Sequence, residues 1–185
     1  MWHHRCVDDL IEAGLGLDYD TLRFGRTTEQ WVLAGARLRD RIASELAALV
    51  ADVEQVGSSS VEGLMAKPIV DLAAGLATEH EFAPVRATLE QRGWIYRGDA
   101  RDEGGHVFVL ETRPLHRVAH LHVVEHEGRQ WRNYLQLRDL LRHSPEARAK
   151  YEAVKQQVSG QVGDDRDAYT KGKSAIVHEL LHAKG

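Results

Sequence analysis

The stretch from Val56 to Leu72, Val-Gly-Ser-Ser-Ser-Val-Glu-Gly-Leu-Met-Ala-Lys-Pro-Ile-Val-Asp-Leu, constrains this chain more than any other. A strand-like segment from Asp52 runs into a Gly57-Ser58 turn. A short helical turn follows, and Lys67-Pro68 leads into a second apolar strand reaching Leu76. Ile69, Val70, Leu72, Ala73 and Ala74 form an apolar run that predicts burial on both faces of that strand. One acid, Asp71, interrupts it. A carboxylate there is costly unless a metal, a cation such as Lys67, or hydrogen-bond donors offset the burial, and desolvated carboxylates gather at functional sites. Glycine at 57 lets a ligand approach the backbone, and a turn between strand and helix offers N–H groups to an anion. Ser58 and Ser60 add hydroxyl donors. Lys67 lacks the Gly-Lys-Ser/Thr setting of a P-loop, so that mechanism is not expected.

A second pattern lies downstream. Arg117 to Glu125 alternates strictly, so His120 and His122 share one face and Leu121 and Val123 the other. Two imidazoles at this spacing suit a shared ligand or metal, or sit as ordinary sheet histidines. His106, His116 and His126 flank the pair on what reads as a hairpin surface. Arg117, Arg138 and Lys173 are candidate phosphate or carboxylate contacts, since arginine offers a bidentate fork. Each serves equally well in a structural salt bridge.

Around these patterns the chain reads as an α+β core followed by a helical tail. A weak apolar pattern at Val7, Leu10, Ile11 and Leu15 suggests a short helix. Thr28 to Ala51 is helical, with Thr27 or Thr28 as N-cap. Helix is also expected from Glu79 to Arg92, and strand over Trp94–Tyr96 and His106–Thr112. From Gly128 on, everything is helical, with Ser144 capping a helix that begins at Pro145 and continues to Gly160. The expected organisation is a divergent segment 1–27, a core 28–127 and a helical extension 128–185. The extension's amphipathic faces pack on the core or on a homodimer partner.

Composition narrows the function. A net charge of −4 over 185 residues gives no global attraction to nucleic acid, so none is expected as a partner. The single cysteine, Cys6, excludes an internal disulfide and a cysteine-rich zinc site. No apolar run suits a membrane span, and the start Met-Trp-His-His-Arg has no apolar signal region. The expectation is a cytoplasmic protein acting on a small molecule.

The blocks described above also carry a resemblance. Gly57 to Asp71 resembles the signature Gly-Ser-Thr-Ser-Val-Pro-Gly-Leu-x-Ala-Lys-Pro-Ile-Ile-Asp of GrpB family proteins. His120-Leu121-His122-Val123-Val124-Glu125 is similar to that family's second signature. Leu137-Arg138-Asp139-Leu140-Leu141-Arg142, then Pro145, Tyr151, Lys155, Asp167, Tyr169 and Lys173, match its helical tail. The likeness runs from about residue 50 to 183, and only Trp31 matches before it.

The resemblance implies a nucleotidyltransferase-like mixed β-sheet flanked by helices, of the DNA polymerase β type, with some relatives fused to dephospho-CoA kinases. It implies a Gly-Ser turn that holds a nucleoside triphosphate; Gly57, Ser58 and Ser60 are the candidates for that turn here, with Lys67, Arg117, Arg138 and Lys173 as candidate phosphate contacts. It also implies carboxylates for two magnesium ions. Here the second acid position is Ala73, and histidine stands where the third carboxylate falls. The expected set, Asp71 with His120 and His122, suits Mn²⁺ or Zn²⁺ better than Mg²⁺, or acid–base work without a metal. Glu62 stands where the family has proline. Three readings follow: a transferase using a nucleotide or phosphorylated substrate, an enzyme running other metal-dependent or acid–base chemistry in the same pocket, and a non-catalytic ligand-binding or partner module.

Overall fold

A computed structural model describes the backbone of residues 2–78, 81–100, 105–162 and 166–182, and their side chains except those of 2–6, 158–162 and 166–173. Its elements in chain order begin with α1 (Trp2–Glu12), β1 (Leu17–Asp18), β2 (Gly25–Arg26), α2 (Glu29–Leu46), β3 (Asp52–Val56), a 3-10 turn (Ser58–Ser60) and β4 (Met65–Ala66). There follow β5 (Val70–Leu76), α3 (Phe82–Gln91), β6 (Trp94–Asp99), β7 (His106–Arg113) and β8 (His116–Glu125). Helices α4 (Arg129–His143), α5 (Pro145–Val162) and α6 (Arg166–His182) end the chain.

Six strands form a mixed sheet in the order β3-β5-β8-β7-β6, with β1 also paired to β8. Among the described residues, only β5 and β8 run parallel. The pairs β3–β5, β6–β7 and β7–β8 are antiparallel. β2 and β4 make a separate two-stranded ribbon.

Period-two alternation gives the sheet two unlike faces. Val70, Leu72 and Ala74 of β5 join Ala119, Leu121 and Val123 of β8, Phe108 and Leu110 of β7 and Trp94 of β6 in the main core. Helix α2 covers that face with Trp31, Ala34, Leu38, Ile42 and Leu46, which recur at helical spacing. Helix α3 adds Val85 and Leu89. On the opposite face Val56, Ala73 and Val124 lie under Trp131, Tyr134 and Leu135 of α4. A third cluster joins α4, α5 and α6 to Val61 and Leu64 of the loop after the 3-10 turn, through Leu141, Tyr151, Ile176 and Leu180.

Boundaries follow local chemistry. Thr28 caps α2, its Oγ1 accepting from Trp31 N at 3.3 Å. Ser144 Oγ accepts from Ala147 N at 3.1 Å and opens α5 as expected. Helix α2 stops at Leu46 rather than Ala51, because Leu49 N and Val50 N both turn back to Leu46 O and Ala51 N is already bonded to Gly75 O of the sheet. β5 starts at Val70 rather than Lys67, since Pro68 has no N–H and Lys67 O is taken by Ile69 N. β6 extends to Asp99, and α5 continues through Gly160 to Val162. The strands β1 and β2, two residues each, are too short to show any periodicity in sequence. Among the described residues, no helix is long and apolar enough to cross a membrane.

Candidate functional site

The parallel register of β5 and β8 sets Asp71 beside His120 and Ala73 beside His122. All four lie opposite the main core, where the sheet is only partly covered. His120 Nδ1 is 3.2 Å from Asp71 Oδ1, with 23% and 30% of the two side chains exposed. With Nδ1–H donating to the carboxylate, Nε2 of the ring is left as an acceptor. The antiparallel partner of Asp71 is Val56, and Gly57 follows directly.

Gly57 has φ 72°, ψ −178°, a left-handed geometry that favours glycine. A Cβ there would stand 2.7 Å from Asp71 Oδ2. The turn and the acid are therefore in direct contact, and the sheet register with this glycine explains why.

The serines are buried in this turn. Ser60 Oγ donates back to Gly57 O at 2.7 Å. Ser58 O accepts from Thr27 Oγ1 at 3.3 Å, and Ser58 Oγ accepts from Lys155 Nζ at 3.2 Å. Lys155, only 2% exposed, also donates to Met65 O at 2.7 Å. Its ammonium lies 5.6 Å from the Phe24 ring and 5.0 Å from the Tyr151 ring. Sequence reasoning gave Lys155 no role. Its signals were its match to the family's helical tail and its place four residues after Tyr151, on the apolar side of α5, where a lysine needs partners for its charge.

The other expected contacts are distributed differently. Arg138 is held inside the protein: Nη1 donates to Glu54 Oε2 at 2.7 Å and Gln55 O at 3.1 Å, and Nε to Asp139 Oδ1 at 2.8 Å. Burial alone would lower the Arg138 pKa, but its bonds to Asp139 and Glu54 outweigh that and raise it. Asp139 in turn is held below the usual carboxylate range by the hydrogen bond from Arg138. Arg138 thus ties α4 to β3. Arg117 is buried, with its guanidinium carbon 5.0 Å from the Tyr19 ring centre. Lys67 is half-buried at the entry to β5. Lys173 lies on α6, and its side chain is outside the described residues.

His122 packs on α4, its ring 5.3 Å from that of Tyr134. The flanking histidines also have local partners. His106 stacks on Phe82 at 3.5 Å, His116 Nδ1 is 2.7 Å from Asp18 Oδ1, and His126 meets the edge of Trp131 at 5.0 Å.

A two-ion centre needs several acids around one point. With Ala73 at the second position, and with no group of three His, Cys, Asp or Glu side chains able to hold an ion among the described residues, the donor set does not fit such a centre. The structure brings together Gly57, Ser58, Lys155, Asp71 and His120. This arrangement combines a Gly-Ser turn, a buried lysine bonded to its Ser58, and a carboxylate–imidazole pair.

Comparison with known proteins bears on the family and the fold. The family described as GrpB protein matches residues 23–183. A UPF0157 protein of Streptomyces coelicolor is 36% identical over 177 residues, covering 96% of this chain and 87% of that protein. The glutamate-rich protein GrpB of Alkalihalophilus pseudofirmus is 27% identical over 158 residues, covering 84% of this chain and 91% of that protein. Among solved structures, the conserved protein GrpB from Enterococcus faecalis superposes with TM-score 0.73 at 24% identity, over 87% of this chain and 98% of that one. The GLD-2/RNP-8 complex gives TM-score 0.53 at 11% identity, over 98% of this chain and 66% of that one. Cid1 in complex with its short product ApU gives 0.50 at 12% identity, over 86% and 50%. The fold is therefore nucleotidyltransferase-like, an α+β mixed sheet flanked by helices. With the family match spanning most of its length and a relative above 30% identity, the chain belongs to the GrpB protein family.

Proposed function

We propose that this protein is a transferase that binds a nucleotide or another phosphorylated small molecule on the Gly57–Ser58 turn and passes a group from it to a small acceptor. The observation that carries this reading is the close contact between the turn and the acid, with the Gly57 Cβ position 2.7 Å from Asp71 Oδ2 and His120 hydrogen-bonded on the other oxygen. The turn and Ser58 receive phosphate oxygens, and the Lys155 ammonium behind Ser58 offsets their charge. His120, oriented by Asp71, takes the proton of an acceptor O–H or N–H at Nε2. The acceptor atom then bonds to phosphorus as the P–O bond to the departing phosphate breaks. No metal is assigned a step, because the donor set does not fit a two-ion centre.

Calorimetry with ATP and other nucleoside triphosphates, with and without Mg²⁺, Mn²⁺ or Zn²⁺, tests the binding half, and pyrophosphate release with candidate acceptors tests the transfer. Micromolar to millimolar binding that is lost in Gly57→Val is expected. A protein that binds no phosphorylated compound under any of these conditions rules the reading out. Ala73 at the second acid position favours one other reading, a ligand-binding module without turnover. Binding that persists unchanged in Asp71→Asn, with no turnover in either protein, would select it.

A further inference from the structure

A groove of about 610 Å³ lies at the far end of the Ser58–Ser60 turn, lined by Ser60, Val61, Glu62, Gly63, Arg142 and Arg148 together with Val32 of α2. Asp71 and His120 do not line it. The volume suits a small-molecule ligand.

Its cations are set unlike the neighbouring Arg138. Arg142 Nη2 donates to Ser60 O at 3.1 Å, and among the described residues its ion-pair partner is Asp139, 3.9 Å from Nη1. Burial first, and then the adjacent Arg138 charge, lower the Arg142 pKa against the opposing pull of Asp139 and Glu54. Arg148 reaches the same loop from the first turns of α5. Its Nε donates to Leu141 O at 3.1 Å, Nη1 to Glu62 O at 3.4 Å and Nη2 to Arg142 O at 3.4 Å. Among the described residues Arg148 has only carbonyl partners, and the two Nη bonds are long. Charge-assisted bonds to an oxyanion are shorter and about twice as strong as neutral ones, so an incoming anion can replace them. Two guanidinium groups approaching from two helices suit a tetrahedral group with three acceptor oxygens. A carboxylate offers two, which a single fork already fills.

We propose that this groove is a second anion site, distinct from the Asp71 site, and that it takes the phosphoryl group of a small molecule between Arg142 and Arg148. Glu62, an exposed acid on its rim, weakens this site. Because the groove and the Asp71 site share one turn, a ligand here rests on the same loop that would carry a substrate phosphate.

Titrating ¹⁵N-labelled protein with pyrophosphate at constant ionic strength, without metal, separates the two sites by residue. The Gly63 amide and the Arg148 Nε–H report on the groove, and the Gly57 amide reports on the site proposed above. The expected result is a saturable shift at Gly63 and Arg148, with at least fivefold weaker binding there in Arg148→Gln and two- to threefold tighter binding in Glu62→Gln. The Gly57 response should be unchanged in both variants. Citrate should shift the groove signals less than pyrophosphate; the reverse order overturns the assignment of a phosphoryl ligand. Still signals at Gly63 and Arg148, or equal affinity in wild type and Glu62→Gln, overturn the site itself, and the Glu62 variant keeps this decisive if Arg148→Gln unfolds. Gly57 staying still while Gly63 moves counts against the proposed function and leaves this groove intact.

Discussion

The two faces of the central sheet carry the same strands and opposite chemistry. On the side under α2 and α3, Leu72, Ala74, Leu121 and Val123 are sealed into the main core. On the side under α4, their sequence neighbours Asp71 and His120 are partly exposed, and the row they form continues across the sheet to Val109 and Ile95, the latter 36% exposed. Helix α4 closes only part of this second face. It covers Ala73, Val124 and His122 and is held down through Arg138 on Glu54. One face therefore makes the main core, and the other leaves Asp71 and His120 partly exposed. The difference teaches that the polar residues within β5 and β8 are displayed by the core rather than tolerated in it.

Substitutions on the two faces should separate stability from activity. The largest effect on function is expected from His120→Ala or Asp71→Asn, which should lower any turnover by about 10²-fold or more, the usual worth of a positioned general base, while thermal unfolding changes little. Loss of fold in these variants would break the contrast. On the closed face, Leu121→Ala should destabilise the protein by ~2–5 kcal/mol, as buried leucine truncations do, read by urea unfolding. Gly57→Ala joins the two regions. Its positive φ and the 2.7 Å approach to Asp71 Oδ2 should destabilise by ~1–3 kcal/mol. The variant should also displace the carboxylate, so ligand affinity falls more than stability does.

Arg138→Met removes the strap on α4 and should cost about 1–3 kcal/mol, because Glu54 and Gln55 O lose a charged donor. The smallest effect is a pH dependence. Asp139 has a depressed pKa in the folded protein through its bond from Arg138, so the unfolded chain binds that proton first as the medium acidifies. Its contribution to stability is present above the ordinary carboxyl pKa of 3.8 and is lost as pH falls through the lower folded value. Asp139→Asn should flatten that acid limb slightly in thermal melts. An unchanged limb would show that the Arg138 strap rests on Glu54 alone.

Much of this arrangement was legible in the chain. The alternation of β8 put His120 and His122 on one face, and the apolar run around Asp71 marked a buried strand with an exception. Thr28 and Ser144 announced helix starts through hydroxyls that cap. Each of these signals is local, set by side-chain direction or by a backbone N–H within one turn. The pairing of His120 with Asp71 while His122 goes to Tyr134 was not legible, because it depends on the register of β5 against β8 and on where α4 crosses. The role of Arg138 was similarly ambiguous, since an arginine fork fits a phosphate and a Glu54–Asp139 pair equally well.

Sequence by itself determined which residues alternate, where helices begin, and that one acid stands in an apolar strand beside a Gly-Ser turn, because these follow from neighbours along the backbone. Tertiary structure alone decided that the turn touches the acid, that Lys155 from α5 reaches Ser58, and that Arg142 and Arg148 meet across a loop from different helices. Those contacts join residues far apart in the chain, and only the packing of α4 and α5 on the sheet fixes the distances between them.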